Sequence, residues 1–367
     1  MARFERAADR WPEDPRPYGA LIGMTRFYRA DLARIRPWIE KTIAIASLSE
    51  AELSGCLALL GRLDDALLHA RRETEVSPSG AAFRRLSRIH LLRGEREAAL
   101  AAARRSVSLG EAPWPRAFVE AGAIDEAEAL VRRHPELRWR WLAMRGRWRE
   151  ARALAPAPPI PRPLGSTPAG ELLLPRPRAL IALGRGDPAA IRREVKAQLA
   201  SGYAFTSCNA WPLAALGDLE HAERLADLFF PMGEGFTCLR MHRAVRAWKR
   251  GDPAGALRGL AGIHLATADL YRGEILSELG RDAEAVEAFE SYRRGGKHDT
   301  LDDWVSLWGY PRALHLQAIA LARLGKRSEA RALNEQFLHL WNNADPDHPL
   351  VREARAFRAR LAAGGAR

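Results

Sequence analysis

LYRGEILSELGRDAEAVEAFESY, residues 270–292, decides how the rest of the chain is read. It divides at Gly280 into two short amphipathic helices. Glycine accepts the left-handed conformation that a helix C-cap needs, so Gly280 ends the first helix. Gly273 is small where that helix must be approached closely. Ala285 stands five residues after the turn, where the second helix packs back on the first, and Phe289 and Tyr292 give that helix its bulk.

The same device recurs. Glycine followed five residues later by alanine occurs at Gly61/Ala66, Gly94/Ala99, Gly122/Ala127, Gly146/Ala151, Gly217/Ala222, Gly251/Ala256, Gly280/Ala285 and Gly325/Ala330, and Gly186/Ile191 keeps the register. Seven residues before the turn stands a small residue at Ser54, Ser87, Ala179, Ala210, Ala244, Gly273 and Ala318, whereas Pro115 and Trp139 depart from the rule. A two-helix unit recurring every 24 to 45 residues predicts an α-solenoid. One such pair means little in an alanine-rich chain. Eight in register with amphipathic flanks do not arise from composition.

This pattern resembles the tetratricopeptide repeat (TPR), best in GRLDDALLHARRETEVSP (61–78), GEREAALAAARRSVSL (94–109), GRDAEAVEAFESY (280–292) and GKRSEARALNEQFLHL (325–340). The resemblance implies an all-α, right-handed TPR-like α-solenoid of antiparallel helix pairs. The turns at Gly122 and Gly146 are 24 residues apart, so the helices between them must be short. Residues 310–357 resemble the closing repeat and capping helix found behind bacterial serine/threonine kinase domains, although no kinase motif is present.

The chain has 367 residues, 47% of them apolar, enough for a core built between neighbouring repeats. Its net charge of +12 is almost all arginine, since only Lys41, Lys196, Lys249, Lys297 and Lys326 are lysines. That basicity is open to two readings, a polyanionic partner or the codon bias of a GC-rich genome. Cys56, Cys208 and Cys238 form no metal-ligand pattern, and an odd number of scattered cysteines points to reduced thiols in the cytoplasm. The N-terminus lacks the apolar core of a secretory signal, and no run reaches the roughly 18 apolar residues of a membrane span.

Residues 1–12 read as the second helix of a repeat, with Phe4 and Ala7 inward. Either a first helix precedes it in a longer protein, or it starts the stack. Residues 13–46 are a degenerate helical pair, and Ser47 with Glu50 matches a capping box. Eight prolines between Pro156 and Pro177 forbid regular helix through most of that segment. The expected organisation is therefore N-terminal repeats over 1–155, a proline-rich linker or crossing loop over 156–170, and C-terminal repeats with a capping helix over 171–367. The GDP turns at 186–188 and 251–253 place Asp at an N-cap and Pro at the first helical position.

No nucleotide-binding, metalloprotease, hydrolase or kinase motif is present, so no catalytic residue and no cofactor is assigned. His298, Asp299, Asp302 and Asp303, and likewise Asp345, Asp347 and His348, precede apolar helices, where Asp caps free N–H groups; no metal is assigned to them. The resemblance puts the residues ten and six before each turn glycine on a concave groove. These are Arg84, Arg88, Arg116, Arg140 and Arg176 in the earlier units, and Met241, Val245, Leu270 and Ile319 later. Guanidinium groups hold carboxylates and phosphates bidentately. The expected function is a non-catalytic scaffold or sensor for a protein or for an acidic or phosphorylated peptide, with no membrane role. Two alternatives stand beside it. One is a nucleic-acid-binding repeat protein, with Trp139, Trp141 and Trp148 stacking bases among arginines. The other is the regulatory tail of a signalling kinase whose catalytic part lies elsewhere.

Overall fold

The computed structural model describes residues 2–14, 16–19, 21–22, 32–45, 48–112, 115–155, 177–200, 210–228, 237–263, 266–294 and 309–363. Among them every regular element is a helix. Consecutive helices pair antiparallel across short turns, which makes the fold all-α and TPR-like.

All nine turn glycines have positive φ, from +69° at Gly186 to +87° at Gly251. At Gly280 the cap is complete, with the Gly280 amide donating to the Ser277 carbonyl (3.2 Å) and the Arg281 amide to that of Leu276 (2.9 Å). This is a Schellman arrangement, and its left-handed residue favours glycine. Ala66, Ala99, Ala127, Ala151, Ala222, Ala256, Ala285, Ala330 and Ile191, five residues on, are all fully buried. In the deciding stretch the helices are Ala266–Glu278 and Asp282–Arg294. A methyl group on Gly273 would lie 2.6 Å from the Phe289 ring, so the ring fills the place of the missing side chain. Ala285 has no room to grow, and Ala285→Trp is expected to destabilise by about 1–3 kcal/mol. Ala288 is buried too, so the exposed Ala283→Trp is the comparison that should stay near wild type in urea denaturation.

The helices divide into two compact units, Met1–Leu130 with Gly262–Leu265 and Arg294–Thr300, and Val131–Ala261 with Ala266–Arg293 and Leu301–Arg367. Unit 1 begins with the Ala2–Arg10 helix, whose inward residue is Ala8, packed with Tyr18 and Leu21. The expected inward Phe4 is exposed and Ala7 is half-buried, so the apolar stripe is rotated from its expected place. Two residues also separate the expected capping box from the observed one. Ser49 accepts from the Glu52 amide (3.3 Å), while Glu52 accepts from the Ser49 amide (2.9 Å). Glu50 instead meets His69.

In unit 2 both GDP turns cap as expected, with Asp187 accepting from the Ala190 amide and Asp252 from the Gly255 amide. The proline-rich 156–170 lies outside the described residues. The helices on either side of it, Trp148–Leu154 and Pro177–Gly184, pack together within unit 2. The Pro349–Ala363 helix closes the last repeat, burying Val351, Ala354 and Phe357. No described helix is long and apolar enough to cross a membrane.

Candidate binding surfaces

The five expected groove arginines have different fates. On the Gly80–Arg93 helix of unit 1, Arg84 is exposed and paired with Glu111 (2.6 Å), and Arg88, one turn later, is half-buried. Arg116 is only 1% exposed and belongs to the packing. Arg140, in unit 2, is half-buried with its guanidinium carbon 5.2 Å from the centre of the Trp139 ring. Arg176 lies outside the described residues.

The apolar half of the expected groove is corrected. Met241, Val245 and Leu270 are buried, and Ile319 is half-buried. First helices of successive repeats pack on one another in unit 2, and these positions serve that packing. The tryptophan platform is corrected as well. Trp139, Trp141 and Trp148 are all buried, so no base can stack on them without unfolding the site.

What the first helices of unit 2 do present is polar and was not expected. Arg312, on the Tyr310–Arg323 helix, donates from Nε and Nη2 to both oxygens of Glu274 on the Ala266–Glu278 helix (2.7 and 2.9 Å). Glu274 is 7% exposed, yet 42% of the Arg312 side chain is open to solvent. One edge of the guanidinium thus grips a buried carboxylate, which holds its pKa above the ordinary arginine value, and Nη1 lies on the opposite edge. Lys249, on the Thr237–Lys249 helix, sits with Nζ 3.4 Å from the centre of the Trp248 ring, and no described carboxylate lies within ion-pair distance of it. Burial lowers its pKa, with Arg312 acting in the same direction and Glu274 and Glu278 opposing. Beside these charges Tyr271 meets Trp211 edge to face and Trp248 at a tilt, and the Trp248 indole donates to Glu278 (2.6 Å).

Two histidines of this unit, His242 and His315, are packing groups. His242 is 2% exposed, and burial, first among the causes, brings its pKa down to about 4. His315 is fully buried against the rings of Phe337 and Phe357, and burial likewise lowers it. Of the two acidic–histidine clusters, His298 to Asp303 lies outside the described residues. In the other, Asp347 pairs with Arg149 and His348 meets the Gly184 carbonyl. Among the described residues no group of three His, Cys, Asp or Glu is placed to hold a metal ion.

No protein-family model matches the chain, and no curated protein matches its sequence. Solved structures do match. The Cut9–Hcn1 hetero-tetramer of APC/C matches over 98% of this chain and 81% of that one, at 13% identity and a TM-score of 0.39. Yeast Tom70 matches over 90% and 77%, at 12% and 0.30. The P58(IPK) TPR domain matches over 90% and 99%, at 15% and 0.26. These likenesses carry nothing about partner or activity.

Proposed function

We propose that the chain is a non-catalytic scaffold or sensor that takes a protein or peptide partner, acidic or phosphorylated, on the faces of its first helices. The observation that carries this reading is the cationic surface of unit 2, where Lys249 lies on the Trp248 ring with no described carboxylate at ion-pair distance and 42% of the Arg312 side chain is open to solvent. A carboxylate or phosphate there would relieve the cost of holding Lys249 charged. On unit 1, Arg84 and Arg88 lie one turn apart on the Gly80–Arg93 helix, Arg84 exposed and paired with Glu111, and a partner there would compete with that carboxylate. Much of the remaining arginine is consumed internally, as in Arg85–Glu73 and Arg104–Glu126. That supports local recognition over a diffuse polyanion surface. The buried tryptophans weigh against nucleic acid as the partner, and the kinase-tail reading rests on the resemblance of 310–357 alone. We place the protein in the cytoplasm.

Titration with an acidic phosphopeptide tests the reading. Lys249→Glu is expected to weaken binding about tenfold or more, since a charged hydrogen bond contributes roughly 1.5–3 kcal/mol. Arg88→Glu should do the same if unit 1 is engaged. Circular dichroism should be unchanged in both. Binding indifferent to both reversals would remove the proposed faces.

A further inference from the structure

The turn that follows the last repeat grips a turn almost two hundred residues earlier in the same unit. The Trp341 indole donates to the Met144 carbonyl (2.8 Å) in a buried bond. The Asp345 amide donates to the Gly146 carbonyl (3.0 Å), and Arg145 donates to Asn342 Oδ1 (2.6 Å). Arg149 pairs with Asp347 at 3.1 Å. Trp148 meets Trp341 edge to face, with ring centres 6.3 Å apart. A side chain at Gly146 would collide with Ala344 and Trp341. Residues 341–348 therefore form a clasp on residues 144–149.

His348 is the pin of that clasp. Its ring packs against both Trp341 (4.7 Å) and Trp148 (6.5 Å), which also touch each other. The Leu350 amide donates to Nδ1 (3.3 Å), which makes Nδ1 an acceptor and leaves the proton on Nε2, 3.2 Å from the Gly184 carbonyl. The neutral ring thus satisfies an amide near the start of the Pro349–Ala363 helix with one nitrogen and ties down the Pro177–Gly184 helix with the other. A proton added at Nδ1 would set N–H against N–H and remove the acceptor.

We infer that this clasp is an acid-released strap: it holds residues 341–348 on residues 144–149 while His348 is neutral and lets them part when His348 is protonated. The charged groups around the ring come from every side. Asp345 and Asp347 of its own turn favour the proton, and Arg312 of the Tyr310–Arg323 helix opposes it. Arg145 and Arg149 of the gripped turn are engaged with Asn342 and Asp347, Arg352 of the last helix reaches the Asp347 carbonyl, and Arg185 and Asp187 follow Gly184. Burial comes first and sets the balance against the charged ring, so release belongs below the ordinary histidine value of 6.5 and not above it.

Hydrogen exchange read by mass spectrometry, corrected for the intrinsic pH dependence, tests the strap from about pH 7.5 down to about pH 5. In the wild type, peptides spanning 341–350 and 144–149 should lose about tenfold more protection than the Ala266–Glu278 helix of the same unit. His348→Gln, which stays neutral and can still donate to Gly184, should abolish that excess while keeping the strap closed. Trp341→Phe, which removes the indole donor, should loosen it at every pH. Protection that falls equally in the strap and in Ala266–Glu278, an excess that survives in His348→Gln, or a strap unmoved by pH would each overturn the inference.

Discussion

Phe289→Ala is expected to destabilise unit 2 by about 3–5 kcal/mol, the cost of emptying a closed core site of an aromatic ring. Phe289 is fully buried among Leu270, Leu276, Ala285 and Ala313. Its partner Gly273 gives a sharper reading, because a glycine inside a helix itself costs roughly 0.5–1 kcal/mol relative to alanine. The glycine stays because a methyl group there would lie 2.6 Å from the ring. Alone, Gly273→Ala should therefore destabilise by about 1–3 kcal/mol through overlap. In the Phe289→Ala background the overlap is gone, the methyl group fills part of the cavity, and the same substitution should stabilise. That reversal of sign is the coupling between residues in contact. Urea denaturation of the four proteins in the cycle measures it, and additive effects would mean that the two residues do not meet.

Acid should weaken unit 2 before it weakens the carboxylate pairs. His242, His315 and His348 all have pKa values lowered by burial. A histidine depressed in the folded state contributes stability that is fully present above the unfolded value of about 6.5 and is lost as pH falls toward the folded value. For His242 the fall from 6.5 to about 4 corresponds to about 3 kcal/mol. Lowered carboxylates such as Asp218 and Glu150 act in the same direction, but only below their unfolded values of 3.8 and 4.5. The window between about pH 6.5 and 4.5 thus isolates the histidines. Stability should drop through it in the wild type and drop less in His242→Gln. A flat profile there would mean that His242 is not buried neutral.

The fold was legible because its signals are local. A turn glycine, the alanine five residues on and the bulky residue four beyond lie within one repeat, and the cap at Gly280 needs nothing else. The surfaces were less legible because they depend on distant pairing. Glu274 and Arg312 lie 38 residues apart, and no spacing rule announces that the guanidinium grips that carboxylate with both Nε and Nη2. Met241 and Leu270 were expected to face a groove, yet packing between first helices takes them into the core. Tryptophans beside arginines at 139–149 look alike in sequence whether they stack on a base or on Trp341.

One comparison tests the central claim most directly, that these first-helix faces recognise an acidic partner and not a nucleic acid. The wild-type chain is titrated with an acidic phosphopeptide and with a single-stranded oligonucleotide of equal charge, each over a series of salt concentrations. The account predicts saturable peptide binding that persists at physiological salt, and oligonucleotide binding that is weaker and vanishes steeply as added salt makes counterion release less favourable. An oligonucleotide bound more tightly than the peptide at physiological salt would contradict it.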